Sequence, residues 1–257
     1  MTTYEQWIAL MTIMRREVAR FIRIWTQTLL PPVITQSLYF VIFGKFIGAR
    51  IGMMQGLDYI TFIVPGLVMM AVINSSYANV VSSFFSTKFQ RNIEELLVSP
   101  TPHWIIVTGY MMGGVLRGLW VGLLVFGTSF IFARPVIDHP GIILIFILAT
   151  AVCFSLGGFL NALFAKKFDD VSIFPTFVLT PLTYLGGVFY TIQYLPPLWQ
   201  NVSKLNPILY MVNGFRYGFY GVSDVPVTVS LLLLVVFIVF LMCLNVTLLK
   251  KGTGLKT

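Results

Sequence analysis

VTVSLLLLVVFIVFLMCLNVTLL, residues 227–249, is the stretch whose reading decides the fold. An α-helix rises 1.5 Å per residue, so about 20 mostly apolar residues cross the roughly 30 Å hydrocarbon layer of a bilayer. This run, with Leu231-Leu232-Leu233-Leu234-Val235-Val236 inside it, is long enough to do so. Working back along the chain, five more stretches qualify: about Ile24 to Phe43, Leu57 to Val81, Trp104 to Phe132, Ile142 to Ala165 and Val171 to Phe189. Pro31 and Pro32 predict a kink or a start in the first of these, Pro65 and Gly66 an interruption of the second, and Pro175 and Pro181 breaks in the fifth. The third is long enough to tilt or to extend past the bilayer.

Composition carries the same message. Of 257 residues, 57% are apolar and 10% charged, with a mean hydropathy of +0.87. A soluble domain carries about 25% charge, so this chain would have almost nothing to set against water. The expectation is an all-α polytopic membrane protein with six transmembrane helices, and a soluble enzyme is excluded. Cys153 and Cys243 lie in apolar stretches without CxxC spacing and read as packed thiols. The first residues mix Glu5, Gln6 and Trp7, and no small-residue cleavage pattern follows the first apolar run, so the whole chain is expected in the mature protein.

The net charge of +8 is distributed by side of the membrane. With the N-terminus inside, the internal segments hold Arg15, Arg16, Arg20, Arg23, Lys88, Arg91, Lys166, Lys167, Lys250, Lys251 and Lys256. The external segments hold Lys45, Arg50, Arg134, Lys204 and Arg216, and Arg117 falls within the third span. That asymmetry predicts both termini in the cytoplasm. It assigns the basic surplus to topology and anionic lipid and leaves no case for a nucleic-acid partner.

Residues 1–23 form an amphipathic entrance: Trp7, Met11, Met14, Val18, Phe21 and Trp25 share one helical face, with Arg16, Arg20 and Arg23 opposite. This predicts a helix in the interface plane, serving as an anchor or also docking against a cytoplasmic partner. Spans one to five occupy 24–189, and between the second and third Lys88, Arg91, Glu94 and Glu95 recur at helical spacing, with Arg91 and Glu95 able to pair. Ile93, Leu96 and Leu97 add an apolar patch, and Pro100 and Pro102 end the segment. Such an internal helix is well placed to receive force from a soluble partner, and Arg91, Glu94 and Glu95 are its candidate coupling residues. Neighbouring carboxylates without a paired histidine do not make a catalytic site.

Residues 190–226 are too apolar for an ordinary loop and too broken by Pro196, Pro197, Pro207, Gly214 and Gly218 for one span. A re-entrant-like pair of short external helices fits both facts, provided protein or water covers the exposed backbone. Pro196, Pro197, Asn206, Pro207, Tyr210 and Arg216 are the candidate residues of this semi-buried lid. Arg216 either bonds the broken backbone or meets an anionic group leaving the pore. The sixth span, 227–249, and a cytoplasmic tail, 250–257, complete one transmembrane domain.

Inside the spans, Arg117 must face a polar interior, a partner or a water-filled path, or else snorkel inward. Asn74, Ser75, Ser76 and Asn79 either glue helices or line a route, and Gly114, Gly118 and Gly122 recur at one-turn spacing as a face for close helix approach, including a sliding seam in a dimer. Lys166, Lys167, Asp169 and Asp170 form the cytoplasmic turn before the fifth span. The chain carries no GxxxxGK[ST], GxSxG or HExxH segment. On this topology His103 and His139 lie at opposite faces and cannot share a metal. No cofactor or metal is therefore expected on the chain itself. An ion-coupled transporter would place ionisable groups near midplane and carry paired repeats; Arg117 alone comes close, and no repeat is visible.

Two segments resemble a known family. Arg91-Asn92-Ile93-Glu94-Glu95-Leu96-Leu97-Val98-Ser99-Pro100 is similar to the internal loop of ABC-2 type transporter permeases. Pro181-Leu182-Thr183-Tyr184-Leu185-Gly186-Gly187-Val188-Phe189, then Leu195-Pro196-Pro197, Asn206-Pro207-Ile208-Leu209-Tyr210 and Arg216, is similar to their C-terminal signature. Gly186 and Tyr190 stand where Ser and Pro are commoner, and the internal loop begins less acidically than usual. The resemblance covers nearly the whole chain and implies an ABC-2 (type V exporter-like) bundle in a bacterial inner membrane. It further implies a non-enzymatic subunit that pairs with a second copy of itself and two copies of a separate ABC ATP-binding subunit, which would hold ATP and Mg2+. In that family the internal loop contacts the ATPase. The cargo stays open among a hydrophobic or amphiphilic compound, a lipid and a glycan.

Overall fold

The computed structural model describes residues 1–254; Lys256 and the rest of the expected tail past that point lie outside the described residues. Helix α1 (Thr3–Arg23) opens with a capping box, in which the Thr2 hydroxyl accepts from the Glu5 amide at 3.3 Å and the Glu5 carboxylate accepts from the Thr2 amide at 2.9 Å. Helix α2 (Trp25–Ile51) follows, broken at Leu29 and widened into a π turn over Phe40–Ile47. A two-stranded antiparallel hairpin, β1 (Met53–Met54) with β2 (Leu57–Asp58), turns the chain into α3 (Tyr59–Phe89). Next come α4 (Ile93–Val98), α5 (His103–Ser129) and α6 (Pro140–Phe164). Residues 168–184 form α7, with a π turn at Pro175–Leu179. The last helices are α8 (Pro197–Lys204), α9 (Pro207–Tyr220) and α10 (Val227–Lys250).

Five helices, α2, α3, α5, α6 and α10, are long and apolar enough to cross a membrane. The stretch expected to supply a further span is shorter than its apolar run. Helix α7 extends about 25 Å at 1.5 Å per residue and unwinds after Tyr184 into the turn at Leu185–Gly187.

Helix α3 is the central post. About 83% of its apolar window is buried, against 11% for α2 and for α10. It packs along both α5 and α6, which also touch each other, and α9 joins α6 and α10. Lipid-facing surface on the outer helices is ordinary for a membrane bundle, because hydrocarbon is as apolar as leucine.

The predicted interruption at Pro65 is absent: α3 runs straight through it. A proline cannot donate to the carbonyl four residues earlier, here Thr61, and the Tyr220 hydroxyl donates to that carbonyl instead at 2.9 Å. Gly66 has a different task. A Cβ there would stand 2.7 Å from the Val188 carbonyl oxygen, so the absence of a side chain lets the 186–189 segment lie against α3. The loops around the Tyr59 end are joined by Asp224, whose carboxylate accepts from Gln55 Nε2 at 2.8 Å and from the Ile192 amide at 3.3 Å.

Helix α1 does not stand apart as a free interfacial helix. Its inner half packs beside α5 with a matching four-residue repeat, Ile13 at Gly109 and Glu17 at Gly113. The buried face is consequently Ile13, Glu17 and Phe21, while Trp7 and Trp25 of the apolar face are exposed.

Candidate functional site

At the Phe89 end of α3, Arg91 takes a left-handed conformation with φ 62° and turns the chain into α4. Buried Ile93 pins that helix to the bundle, and Arg91, Glu94 and Glu95 are exposed. The expected continuous helical spacing is corrected here. Arg91 lies in the turn before α4, and no ion pair to Glu95 forms among the described residues. Lys88 is not part of this charged surface either. Its ammonium is buried and donates to the carbonyls of Ala162, Leu163 and Ala165 at 3.2, 2.7 and 2.6 Å, closing the C-terminus of α6, where four carbonyls lack helical donors.

A second polar group joins α1 to the bundle, and sequence reasoning missed its centre, Glu17. This carboxylate is 1% exposed, accepts from the Ser83 hydroxyl at 2.6 Å, and meets Arg20 at 3.4 Å and Arg16 at 3.7 Å. Arg20 in turn donates to both oxygens of Asn79, side chain at 2.8 Å and backbone at 2.9 Å. Arg16 donates to the Tyr110 hydroxyl at 2.5 Å, which donates to Thr87 at 3.1 Å. The arginines expected on the face opposite the apolar residues thus include two that reach into the bundle. The available signal was a single acid flanked by bases at i−1 and i+3 on an amphipathic helix.

Of the polar cluster in α3, Asn79 is buried in this network, while half-buried Asn74 donates to the Met70 carbonyl of its own helix at 3.0 Å. Gly114 and Gly118 pack within the chain. A Cβ at Gly114 would reach the Ser76 carbonyl oxygen at 2.8 Å, and one at Gly118 would collide with the Ser76 side chain. Their face is occupied by α3, which removes it as a sliding seam between copies.

Arg117 is buried and donates to the Thr28 carbonyl at 3.2 Å. Thr28 lies four residues before Pro32, so its carbonyl lacks a helical donor, and Arg117 supplies one. The side chain is committed to the bend between the two parts of α2, and snorkelling does not describe it.

The 190–226 segment divides in two. Pro196 caps α8, Pro197 occupies its first position, and the helix exposes Leu198, Trp199 and Val202. Helix α9 is a core helix and not a semi-buried lid. Asn206 caps it by accepting from the Ile208 amide at 3.0 Å, its amide donates to the Leu182 carbonyl at 2.6 Å, and Pro207 sits at its first position. Tyr210 donates to the Lys204 carbonyl at 2.8 Å, tying α9 to α8. Arg216 is fully buried, donates to the Gly187 carbonyl at 2.6 Å and lies 4.0 Å over the Phe62 ring. It bonds the broken backbone at Gly187. Among the described residues no group of His, Cys, Asp and Glu could hold a metal; His139 stacks on Tyr217 at 5.4 Å, and His103 begins α5.

Comparison with known proteins matches this architecture. The profile of the ABC-2 type transporter family matches residues 8–220. The chain is 57% identical over 251 residues to the inner membrane transport permease YadH of Escherichia coli (strain K12), covering 98% of each. It is 27% identical over 226 residues to nodulation protein J of Sinorhizobium fredii (strain NBRC 101917 / NGR234), with 84% of this chain and 82% of the relative covered. To nodulation protein J of Rhizobium meliloti (strain 1021) it is 24% identical over 221 residues, 82% and 79% being covered. With a matched region running from within α1 through α9 and a relative of this identity over nearly its full length, the chain belongs to the ABC-2 type transporter family.

Proposed function

We propose that this chain is the permease subunit of an ATP-driven exporter in a bacterial inner membrane, working as a homodimer with two copies of a separate ATP-binding subunit. ATP and Mg2+ belong to that partner. The observation that carries the reading is α4: a short helix with Arg91, Glu94, Glu95 and Val98 exposed, fastened by Ile93 to the end of the most buried helix. Force applied there enters α3 directly. Glu17 and Arg20 bond Ser83 and Asn79 of the same helix, so α1 and α4 bear on one post.

Six crossings are completed by α7, with both termini cytoplasmic, as the distribution of Lys and Arg favours. The seam between copies follows α2 and α7, which meet where Tyr39 and Tyr184 bond at 2.8 Å. The exposed side of α7 carries Ser172, Thr176, Thr180 and Tyr184 along one row beside exposed Ile173, Phe177 and Val178, whereas α10 between Leu231 and Met242 exposes only apolar side chains such as Leu232, Val235, Val236, Val239 and Phe240. Hydroxyls gather toward a partner or a polar path, and hydrocarbon side chains toward lipid. The cargo class is a hydrophobic or amphiphilic compound, a lipid or a glycan.

ATP biases such a machine only through tighter binding to one of its states. Reversing charge at Glu94 together with Glu95 is expected to lower transport-linked ATP hydrolysis in a reconstituted complex while membrane insertion persists. Unchanged coupling would remove α4 from the assignment. A pull-down in mild detergent should bring down a stoichiometric ATPase, and its absence at native expression defeats the exporter reading.

A further inference from the structure

Helix α1 carries Arg16, Arg20 and Arg23 to the threshold of a charge-free run, residues 24–44, that enters the bilayer as α2. Helix α5 brings Arg117, the one Lys, Arg, Asp or Glu in its length, to the same corner, where it meets Thr28. One carboxylate serves this group. Glu17 takes Arg16 and Arg20 as ion-pair partners, and Arg117 has none among the described residues. Arg20 lies close enough to Arg117 for their charges to oppose each other. The corner therefore keeps a surplus of positive charge where apolar helices begin, an arrangement that costs free energy until an anion joins it.

The guanidiniums keep donors free for such an anion. Nη2 of Arg117 is occupied by the Thr28 carbonyl, and Nη2 of Arg20 by Asn79. Nε of each is shut inside the protein. Nη1 of each has no hydrogen-bond partner among the described residues and is open to the outside, although Arg117 as a whole is only 9% exposed. The surface around them is apolar: Trp25 and Leu30 are exposed on α2, and Trp120 and Leu124 on α5. Tryptophan collects where hydrocarbon meets headgroups, and Trp25 and Trp120 each lie three residues from Thr28 and Arg117 respectively.

We propose that this corner is a site for an anionic phospholipid, whose headgroup phosphate accepts from Nη1 of Arg20 and Nη1 of Arg117 while its acyl chains lie along the exposed sides of α2 and α5. Guanidinium suits phosphate because its planar donors match the anion's oxygens and its charge persists at physiological pH. Free phosphate would meet the same donors but would leave Trp25, Trp120 and Leu124 uncovered. A bound lipid ties α1 to α5 beside the bend in α2, adding to the contacts that Glu17 and Arg20 already make with α3. The site lies within one copy and stands independently of the exporter reading.

Native mass spectrometry of the full chain, delipidated in detergent, tests this with phosphatidylglycerol and phosphatidylcholine. One phosphatidylglycerol per chain should bind about tenfold more tightly than phosphatidylcholine, since each arginine near an anionic headgroup adds to affinity and choline opposes it. Arg20→Gln should weaken the anionic lipid about tenfold, the size of one charged hydrogen bond, and Arg20→Lys should lose less. Arg15→Gln removes the same charge from an exposed position on the same helix and should change binding by less than about twofold. In wild type alone, phosphatidylglycerol should slow hydrogen exchange across residues 20–30, and inorganic phosphate in large excess should neither reproduce that nor displace the lipid. Equal binding of the two lipids, equal losses in Arg15→Gln and Arg20→Gln, displacement by phosphate, or exchange indifferent to lipid would each overturn the proposal.

Discussion

The Tyr220 hydroxyl donates to the Thr61 carbonyl at 2.9 Å, the carbonyl that Pro65 leaves without a helical donor. The same relation recurs twice. Arg117 donates to the Thr28 carbonyl, four before Pro32, and Asn161 to the Val171 carbonyl, four before Pro175. In hydrocarbon no water can satisfy a freed carbonyl, and at these three prolines a side chain from a neighbouring helix supplies the donor. Each of these bonds therefore fixes one helix against another at the depth of a proline.

Tyr220→Phe is expected to lower stability by about 1–3 kcal/mol, because it leaves the Thr61 carbonyl buried and unpaired. Pro65→Ala restores an N–H to that carbonyl, and in its background the Tyr220→Phe penalty should shrink by about 1 kcal/mol or more, within the coupling range of contacting residues. Thermal unfolding of the four proteins of this cycle in one detergent measures the term; additive losses would refute the pairing.

Glu17 binds α1 to α3 through Ser83 and is held between Arg16 and Arg20. Glu17→Ala should release α1, costing about 1–3 kcal/mol for the partners left unpaired, whereas Glu17→Gln keeps an acceptor for Ser83 and should cost less. Hydrogen exchange over residues 3–23 reads the release. Protection equal to wild type in Glu17→Ala would show that α1 is held by its apolar contacts alone.

Gly118→Ala pushes a methyl group into Ser76 on the facing helix, and Gly127→Ala enters open space. The first should destabilise by about 1–3 kcal/mol through overpacking, and the second should be near neutral or slightly stabilising through helix propensity. Melting temperatures of the two variants, compared with wild type, decide it. Equal values would mean that α3 and α5 can separate at no cost.

Apolar run length made most of the helices legible, since α5, α6 and α10 end within three residues of their predicted limits. The fifth span was misjudged because Leu185 to Phe189 is as apolar as a helix while Gly187, at φ 72°, turns the backbone. The interruption expected at Pro65 failed for the opposite reason: the compensating donor, Tyr220, lies far away in sequence. Arg117 and Arg216 were visible as costly charges, but the carbonyls they serve emerge only once Thr28 and Gly187 are brought beside them. Glu17 was hidden by its neighbours, because an acid among arginines on an amphipathic helix reads as solvated until Ser83 closes over it.

Asp170 stands before the stretch read as the fifth span and organises the turn that leads into α7. One carboxylate oxygen accepts from the Lys166 amide at 2.8 Å and the Lys167 amide at 3.0 Å. Those backbone bonds, aided by the two lysine charges, hold its pKa below the ordinary 3.8. For a carboxyl group depressed on folding, the stabilisation is complete above the unfolded value and is lost as pH falls through the folded one. The turn should therefore be intact at neutral pH and loosen under acid, beginning near the ordinary carboxyl value and finishing below it. Asp170→Asn cannot ionise and should show loosened Lys166 and Lys167 amides without that pH dependence. Amide exchange of the two residues in detergent or nanodiscs, corrected for intrinsic rates, follows the transition, and a mutant that keeps the wild-type pH profile would assign it to another group.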